Sequence, residues 1–310
     1  MNQILPKPSW IKAKIPNSPN YKNLKSLMRN LDLHTVCEEA KCPNIGECWG
    51  AGTLTFMILG DTCTRSCGFC NVKTGKGGDL DWEEPLRVAE AVSELVRNNA
   101  FINHLVITSV NRDDKNFEGA CLFAETIRKV RKYNPGITIE VLIPDFKGDL
   151  EALNEVLLSK PDILNHNIET VPRLYYLPQE TRNGRTRAVR PQAKYEWSLR
   201  LLKESKNQGH EGILTKSGIM LGLGEEIEEI IDTLWDLKTV GCDIVTIGQY
   251  LQPTKDHLPV SKYYHTTEFE SLKKYGEQII SIPHVESGPL VRSSYHAEKQ
   301  AVKLNVQSSC

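Results

Sequence analysis

The 310-residue sequence predicts an α/β fold in which a parallel sheet curls into an incomplete barrel. Three observations carry this. From about Leu54 onward, six short runs, several rich in β-branched residues, alternate with stretches of helical periodicity, as successive β/α units do. Six units fall short of the eight that close a barrel. The composition, 40% hydrophobic and 25% charged, is that of a packed globular chain.

The strands are predicted at 53–59, 104–109, 137–143, 162–168, 214–221 and 243–247, most of them followed by turn or loop residues. The first helix is predicted at 85–96, where Leu86, Ala89, Val92 and Val96 recur at helical spacing and Pro85 suits a first turn. Similar patterns predict helices at 118–132, 149–158, 195–206, 226–240 and 267–280. Ahead of the first strand, residues 1–30 are polar and rich in Pro, Asn and Lys, and read as an arm wrapped over the surface. Residues 31–50 read as irregular. The segment 179–190 holds Arg182, Arg185, Arg187 and Arg190; it reads either as a solvated loop or as a dock for an acidic partner or a cofactor carboxylate.

A formal net charge of −1 gives no global reason to expect nucleic acid or an acidic membrane surface. No apolar run is long enough to span a bilayer. The first residues lack both a signal-peptide core and an Arg- and Ser-rich amphipathic pattern, so the reading is cytoplasmic, with an organelle-targeting segment as the alternative.

Six of the nine cysteines lie between Cys37 and Cys70. A disulfide scaffold belongs to short secreted chains, so this clustering points to metal or redox chemistry. Cys63, Cys67 and Cys70 have the spacing C-x3-C-x2-C directly after the first predicted strand, where ligand sites gather in α/β folds. Three thiolates can hold three irons of a 4Fe-4S cluster, whose full set is normally four cysteines. The fourth iron is then open to the amino and carboxylate groups of S-adenosylmethionine (SAM), and Phe69 is the aromatic found before the third cysteine of radical SAM enzymes. A zinc site is the competing reading, but zinc normally takes four ligands, often as two C-x2-C pairs. Cys37, Cys42 and Cys48, spaced C-x4-C-x5-C, form another three-thiolate set; alone they fit a second cluster, a zinc site or reduced structural thiols equally. Cys121 and Cys242 read as buried structural thiols, and Cys310 as incidental.

The two cysteine groups in this order resemble the lipoyl synthase family. The resemblance continues through SVNRDD (109–114), HNIETVPRLY (166–175), GIMLGLGE (218–225), TIGQYLQPT (246–254) and SGPLVRSSYHA (287–297). It implies an incomplete (β/α)6 TIM-type barrel with an N-terminal cluster-binding extension and a C-terminal segment. On that basis the chain divides into residues 1–50, carrying an auxiliary cluster motif, 51–285, the radical SAM partial barrel, and 286–310, carrying RSSY. The resemblance assigns Cys63, Cys67 and Cys70 to the SAM cluster, and Cys37, Cys42 and Cys48 to an auxiliary 4Fe-4S cluster. The fourth auxiliary ligand falls on Ser294, with Ser293 as the second choice; a Ser-Ser pair is by itself only a polar turn. The implied reaction inserts sulfur at C6 and C8 of a protein-bound octanoyl group, with SAM as radical source and the auxiliary cluster as sulfur donor. The implied partners are an octanoylated lipoyl domain or glycine-cleavage H protein, and a reduced flavodoxin or ferredoxin.

Asn167 and Glu169, at a predicted strand end, are candidates for SAM's polar groups, and Gly222, Gly224 and Glu225 for a close backbone approach, or for a plain turn. Arg292 suits a carboxylate or a helix cap; His166 and His296 suit packing as well as function. Two features depart from the family pattern: a longer loop between RLY (173–175) and VRP (189–191), and Gln192 where glycine is frequent. A biotin synthase-like enzyme, a two-cluster electron carrier and a zinc-stabilised interaction domain are the alternatives. The first lacks the C-x4-C-x5-C and RSSY pairing, and carriers usually have four cysteines per cluster.

Overall fold

The computed structural model describes residues 5–98 and 104–305; Cys310 lies outside them. One eight-stranded sheet organises the chain. Its strands are β1 (His34–Thr35), β2 (Thr55–Ile58), β3 (His104–Ser109), β4 (Thr138–Leu142), β5 (Ile163–Asn165), β6 (Leu214–Leu221), β7 (Ile244–Gln249) and β8 (His284–Gly288). They lie side by side in chain order. β2 to β8 pair in parallel, and only β1 runs antiparallel, opposite β2. Among the described residues no ladder joins β1 to β8, so the barrel is open along that seam.

All six predicted strands are present, and β2 to β7 are each followed by a helix. These are α2 (Glu84–Arg97), α3 (Asn116–Tyr133), α4 (Leu150–Leu158), α5 (Tyr195–Gln208), α6 (Ile227–Thr239) and α7 (Thr266–Lys274). The predicted helix at 267–280 changes pitch after Lys274 and ends in a π-turn, Tyr275–Ile279. The sheet exceeds the prediction by β8 and the two-residue β1.

Residues 1–30 are an arm only in part. Residues 5–18 cross the surface without regular structure, but Pro19–Asn30 is a helix, α1. Its polar composition hides three apolar side chains, Leu24, Leu27 and Met28, that share one face and are buried. Ser18 caps it, accepting the Tyr21 N–H at 3.1 Å. The 31–50 region holds β1 and two single helical turns, Val36–Glu39 and Ile45–Cys48. A last helix, α8 (Ala297–Asn305), carries Leu304 against Ile163 and Ile244, at the starts of β5 and β7.

The inner wall of the sheet is partly charged. Lys216 of β6 and Glu140 of β4 pair at 3.0 Å with both side chains fully buried. Asn165 donates to Glu140 at 2.9 Å. Burial pushes the Glu140 carboxyl up, but Lys216 and His104 outweigh it and hold the group at about 2.

Candidate active site

The second cysteine group grows out of the end of β2. Leu59 and Gly60 both take left-handed backbone, φ 70° and 87°, so the chain turns sharply as it leaves the sheet. The Glu84 carboxylate catches the Leu59 N–H at 2.8 Å, and burial raises that carboxyl to about 7.

Within the CTRSCGFC loop, the Cys63 sulfur accepts N–H groups from Arg65 (3.4 Å) and Asn111 (3.3 Å). Arg65, between the first two cysteines, is 2% exposed. It is held by two carboxylates: Asp113 at 2.8 and 2.9 Å, and Asp145 at 2.6 and 2.7 Å. These come from the ends of β3 and β4, so one buried cation ties the loop to two neighbouring strands. Gly68 sits where no Cβ fits: one would meet the Ala188 carbonyl at 2.5 Å and Leu258 at 2.9 Å. Its N–H donates to the Ala188 and Val189 carbonyls, and its own carbonyl accepts the Leu258 N–H. His257 bonds the Cys70 carbonyl at 2.9 Å.

Burial and the neighbouring thiols push Cys70 up to about 12. Burial also lifts Cys67, to about 11, although Arg190 opposes it. Cys63 raises Cys67, and both raise Cys70, so the loop forms a site that a multivalent cation would discharge.

The first group is arranged likewise. The Cys42 N–H donates to the Cys37 carbonyl, and Cys48 closes the turn that starts at Asn44. Cys37 is buried and Cys48 half-buried; burial, then the neighbouring cysteines, raise them to about 11 and 12. Gly46 lies directly under the N-terminal arm, its missing Cβ 2.5 Å from the Lys14 carbonyl.

The RSSY segment follows β8 and crosses the open seam to this loop. Asn44 donates to the Leu290 carbonyl at 2.6 Å, Thr55 to the Ser294 hydroxyl at 3.0 Å, and the Tyr295 hydroxyl to Glu47 at 3.3 Å. The Thr55 backbone also lies beside the Cys37 thiol and favours its thiolate, so one residue neighbours both Ser294 and a cysteine of the group. Ser293 faces elsewhere. It lines a small cavity of about 60 Å³ with Asn167, Glu169, Gly218, Gly248 and Arg292.

That cavity has a largely apolar lining and holds one under-satisfied polar group. Asn167 donates to Glu169 at 3.2 Å, but its buried Oδ1 has no partner. Glu169 takes a left-handed φ of 68° and its carboxyl is raised by burial, with Arg190 opposing. The half-buried Arg292 donates to the Val291 carbonyl at 2.6 Å and lies in the fields of both Cys42 and Glu169. Gly218 and Gly248 leave the room: a Cβ would meet the Asn167 oxygen at 2.8 Å in the first case and the Val291 carbonyl at 2.1 Å in the second.

Other candidates have local duties. The Glu225 carboxylate accepts the N–H groups of Gly222 (2.5 Å) and Leu223 (2.9 Å), closing its own turn around two glycines at φ 107°. His166 is buried, bonding Ile143 and Ser198 at 2.8 Å each. His296 lies near Glu298 and Glu47. Cys242 is buried as expected, but Cys121 is only half-buried, because it sits on the edge of the packed face of α3. Sequence reading missed Arg65, Asp113, Asp145, Thr55 and His257. Of these, only the arginine inside a cysteine loop was a local signal.

Neither triad draws together around one ion: among the described residues, no three His, Cys, Asp or Glu side chains converge on a single metal position.

Comparisons with known proteins agree with this geometry. Residues 57–237 match the Radical SAM superfamily, and residues 2–42 match the N-terminal domain of lipoyl synthase of that family. Lipoyl synthase of Rubrobacter xylanophilus is 55% identical over 95% of this chain and 86% of its own length. The chain belongs to the lipoyl synthase family. Mitochondrial lipoyl synthase of Nematostella vectensis is 51% identical over 95% of this chain and 94% of its own. Lipoyl synthases are sulfur-inserting radical SAM enzymes, and the chain is a sulfurtransferase of that kind, using a 4Fe-4S cluster and SAM. Among solved structures, the hydrogenase maturase HydG is similar with TM-score 0.54 at 13% identity, covering 88% of this chain and 67% of its own. Methylornithine synthase is similar with TM-score 0.52 at 16% identity, covering 86% and 70%. Both share the fold of this chain, whose residues 57–237 match the Radical SAM superfamily. No helix among the described residues is long and apolar enough to cross a membrane.

Proposed function

We propose that the chain inserts two sulfur atoms, at C6 and C8, into an octanoyl group carried on a lipoyl domain or a glycine-cleavage H protein, using two 4Fe-4S clusters with separate duties. Cys63, Cys67 and Cys70 would hold the SAM cluster; Cys37, Cys42, Cys48 and Ser294 the auxiliary one. When bound, the first with SAM supplies a 5′-deoxyadenosyl radical able to take hydrogen from an unactivated carbon, and the second supplies sulfur.

The chain's own residues set the conditions. Arg65, Asp113 and Asp145 fix the radical loop against the strand ends. Glu169 and Asn167 offer acceptors for an ammonium, and Arg292 offers a donor for a carboxylate, around one small cavity. Gly222, Gly224 and Glu225 shape the turn that ends β6. A hard serine oxygen among thiolates is a weak iron ligand, which suits a cluster that must be taken apart.

The observation that carries this reading is Thr55, whose side chain bonds Ser294 and whose backbone lies beside the Cys37 thiol and favours its thiolate. Iron and acid-labile sulfide per chain after anaerobic reconstitution test it. About eight irons are expected. About four would leave the radical chemistry and remove the sulfur donor.

A further inference from the structure

The arginine-rich segment forms a small hairpin, Gln179–Glu180 paired with Thr186–Arg187. It splits the arginines in two. Arg190 is buried under Tyr175, 5.2 Å from the ring centre, and belongs to the site. Arg182 and Arg185 are exposed and Arg187 is half-buried.

This surface is wired to the second cysteine group from two sides. The hairpin runs directly into Ala188 and Val189, which accept the Gly68 N–H at 3.0 and 3.1 Å. The neighbouring 254–258 loop holds Cys70 through His257 and Gly68 through Leu258. Asn183 and Arg185 fasten the two loops together on Asp256, at 2.9 and 3.7 Å. That contact occupies the Asp256 carboxylate, while Arg182, Arg187, Lys41 and Lys255 make no ion pair among the described residues. Arg187 and Lys41 both bear on His257. The whole chain carries net charge −1, so this concentration of positive charge is local.

We propose that this face docks an acidic one-electron carrier protein, and that the hairpin is its recognition element. The proposal rests on the radical SAM reading of Cys63, Cys67 and Cys70. In the transfer the reduced carrier loses one electron and the group on these cysteines gains it; no bond of the chain forms or breaks. An electron carrier needs only close approach to the thiolate loop, which the hairpin and the 254–258 loop provide through single hydrogen bonds. An octanoyl arm must instead reach the cavity lined by Asn167, Glu169 and Arg292, and no hairpin residue borders it. Opposed charge also speeds encounter and selects partners.

The test is binding of oxidised flavodoxin to the reconstituted chain, by calorimetry at low salt. In Arg182→Glu/Arg187→Glu/Lys255→Glu the Kd should rise at least about ten-fold, and the wild-type Kd should weaken as salt goes from about 50 to about 300 mM. Affinity for an octanoylated carrier and dithionite-driven SAM cleavage should not change. Arg182→Gln/Arg187→Gln should weaken flavodoxin binding in the same direction if the triple variant loses iron. Unchanged flavodoxin affinity in both variants overturns the proposal, as does loss of octanoylated-carrier affinity in its place. Wild-type chain that cannot cleave SAM with dithionite would sink the enzymatic reading, while the binding comparison would still decide the docking face.

Discussion

Ser293 and Ser294 are adjacent in sequence and face different chemistry. Ser294 meets Thr55, whose backbone lies beside the Cys37 thiol, whereas Ser293 lines the cavity of Asn167 and Glu169. Ser294→Ala should keep SAM cleavage and lose lipoyl product at least ten-fold, while Ser293→Ala keeps product; mass spectrometry of an octanoylated carrier reads both, and normal product from Ser294→Ala would remove that ligand. Cys67→Ala should abolish 5′-deoxyadenosine formation. The cysteine sets were legible because their spacing is local. The partners of Arg65 and Thr55 were not, because they lie 48, 80 and 239 residues away; Arg65 stood out only by its place inside a cysteine loop, and Thr55 by nothing local.

At the scale of elements, periodicity located β2 to β7 and their helices because each strand is buried and each helix has one apolar face. It failed where tertiary contact outweighs local composition. β8 reads HVESG, with one fully buried apolar side chain, Val285; its order comes from the five-residue register with β7. Helix α1 has three apolar anchors in twelve residues and depends on the core they enter, which also contains Trp49 and Cys37. Leu24→Ala should therefore cost about 2–5 kcal/mol, read from the urea midpoint. Because Cys37 shares that core, iron at the first group should fall with it.

At the scale of the molecule, buried ionisable groups set the pH and charge tolerance of the barrel. Burial and Arg190 hold His166 at about 4, against 6.5 for an exposed histidine. Between those values the unfolded chain takes up a proton that the folded chain refuses. The stability is thus complete above pH 6.5 and falls as pH drops toward 4, by up to about 3 kcal/mol. His166→Gln should flatten this slope relative to wild type in urea midpoints measured from pH 7 to 4. Lys216→Met would strand the Glu140 carboxylate in the barrel wall at a cost of about 3–5 kcal/mol, and Lys216→Met/Glu140→Leu should recover most of it.

The bridge across the open seam also has a consequence for the order of biogenesis. Thr55 meets Ser294 across 239 residues, and Asn44 meets Leu290 across 246. At translation rates of about 5–20 residues per second, these partners are made roughly 10–50 s apart. Through that interval the loop of Cys37, Cys42 and Cys48 is made but lacks its cover. The part of the chain made early is thus closed only when residues 290–294 arrive.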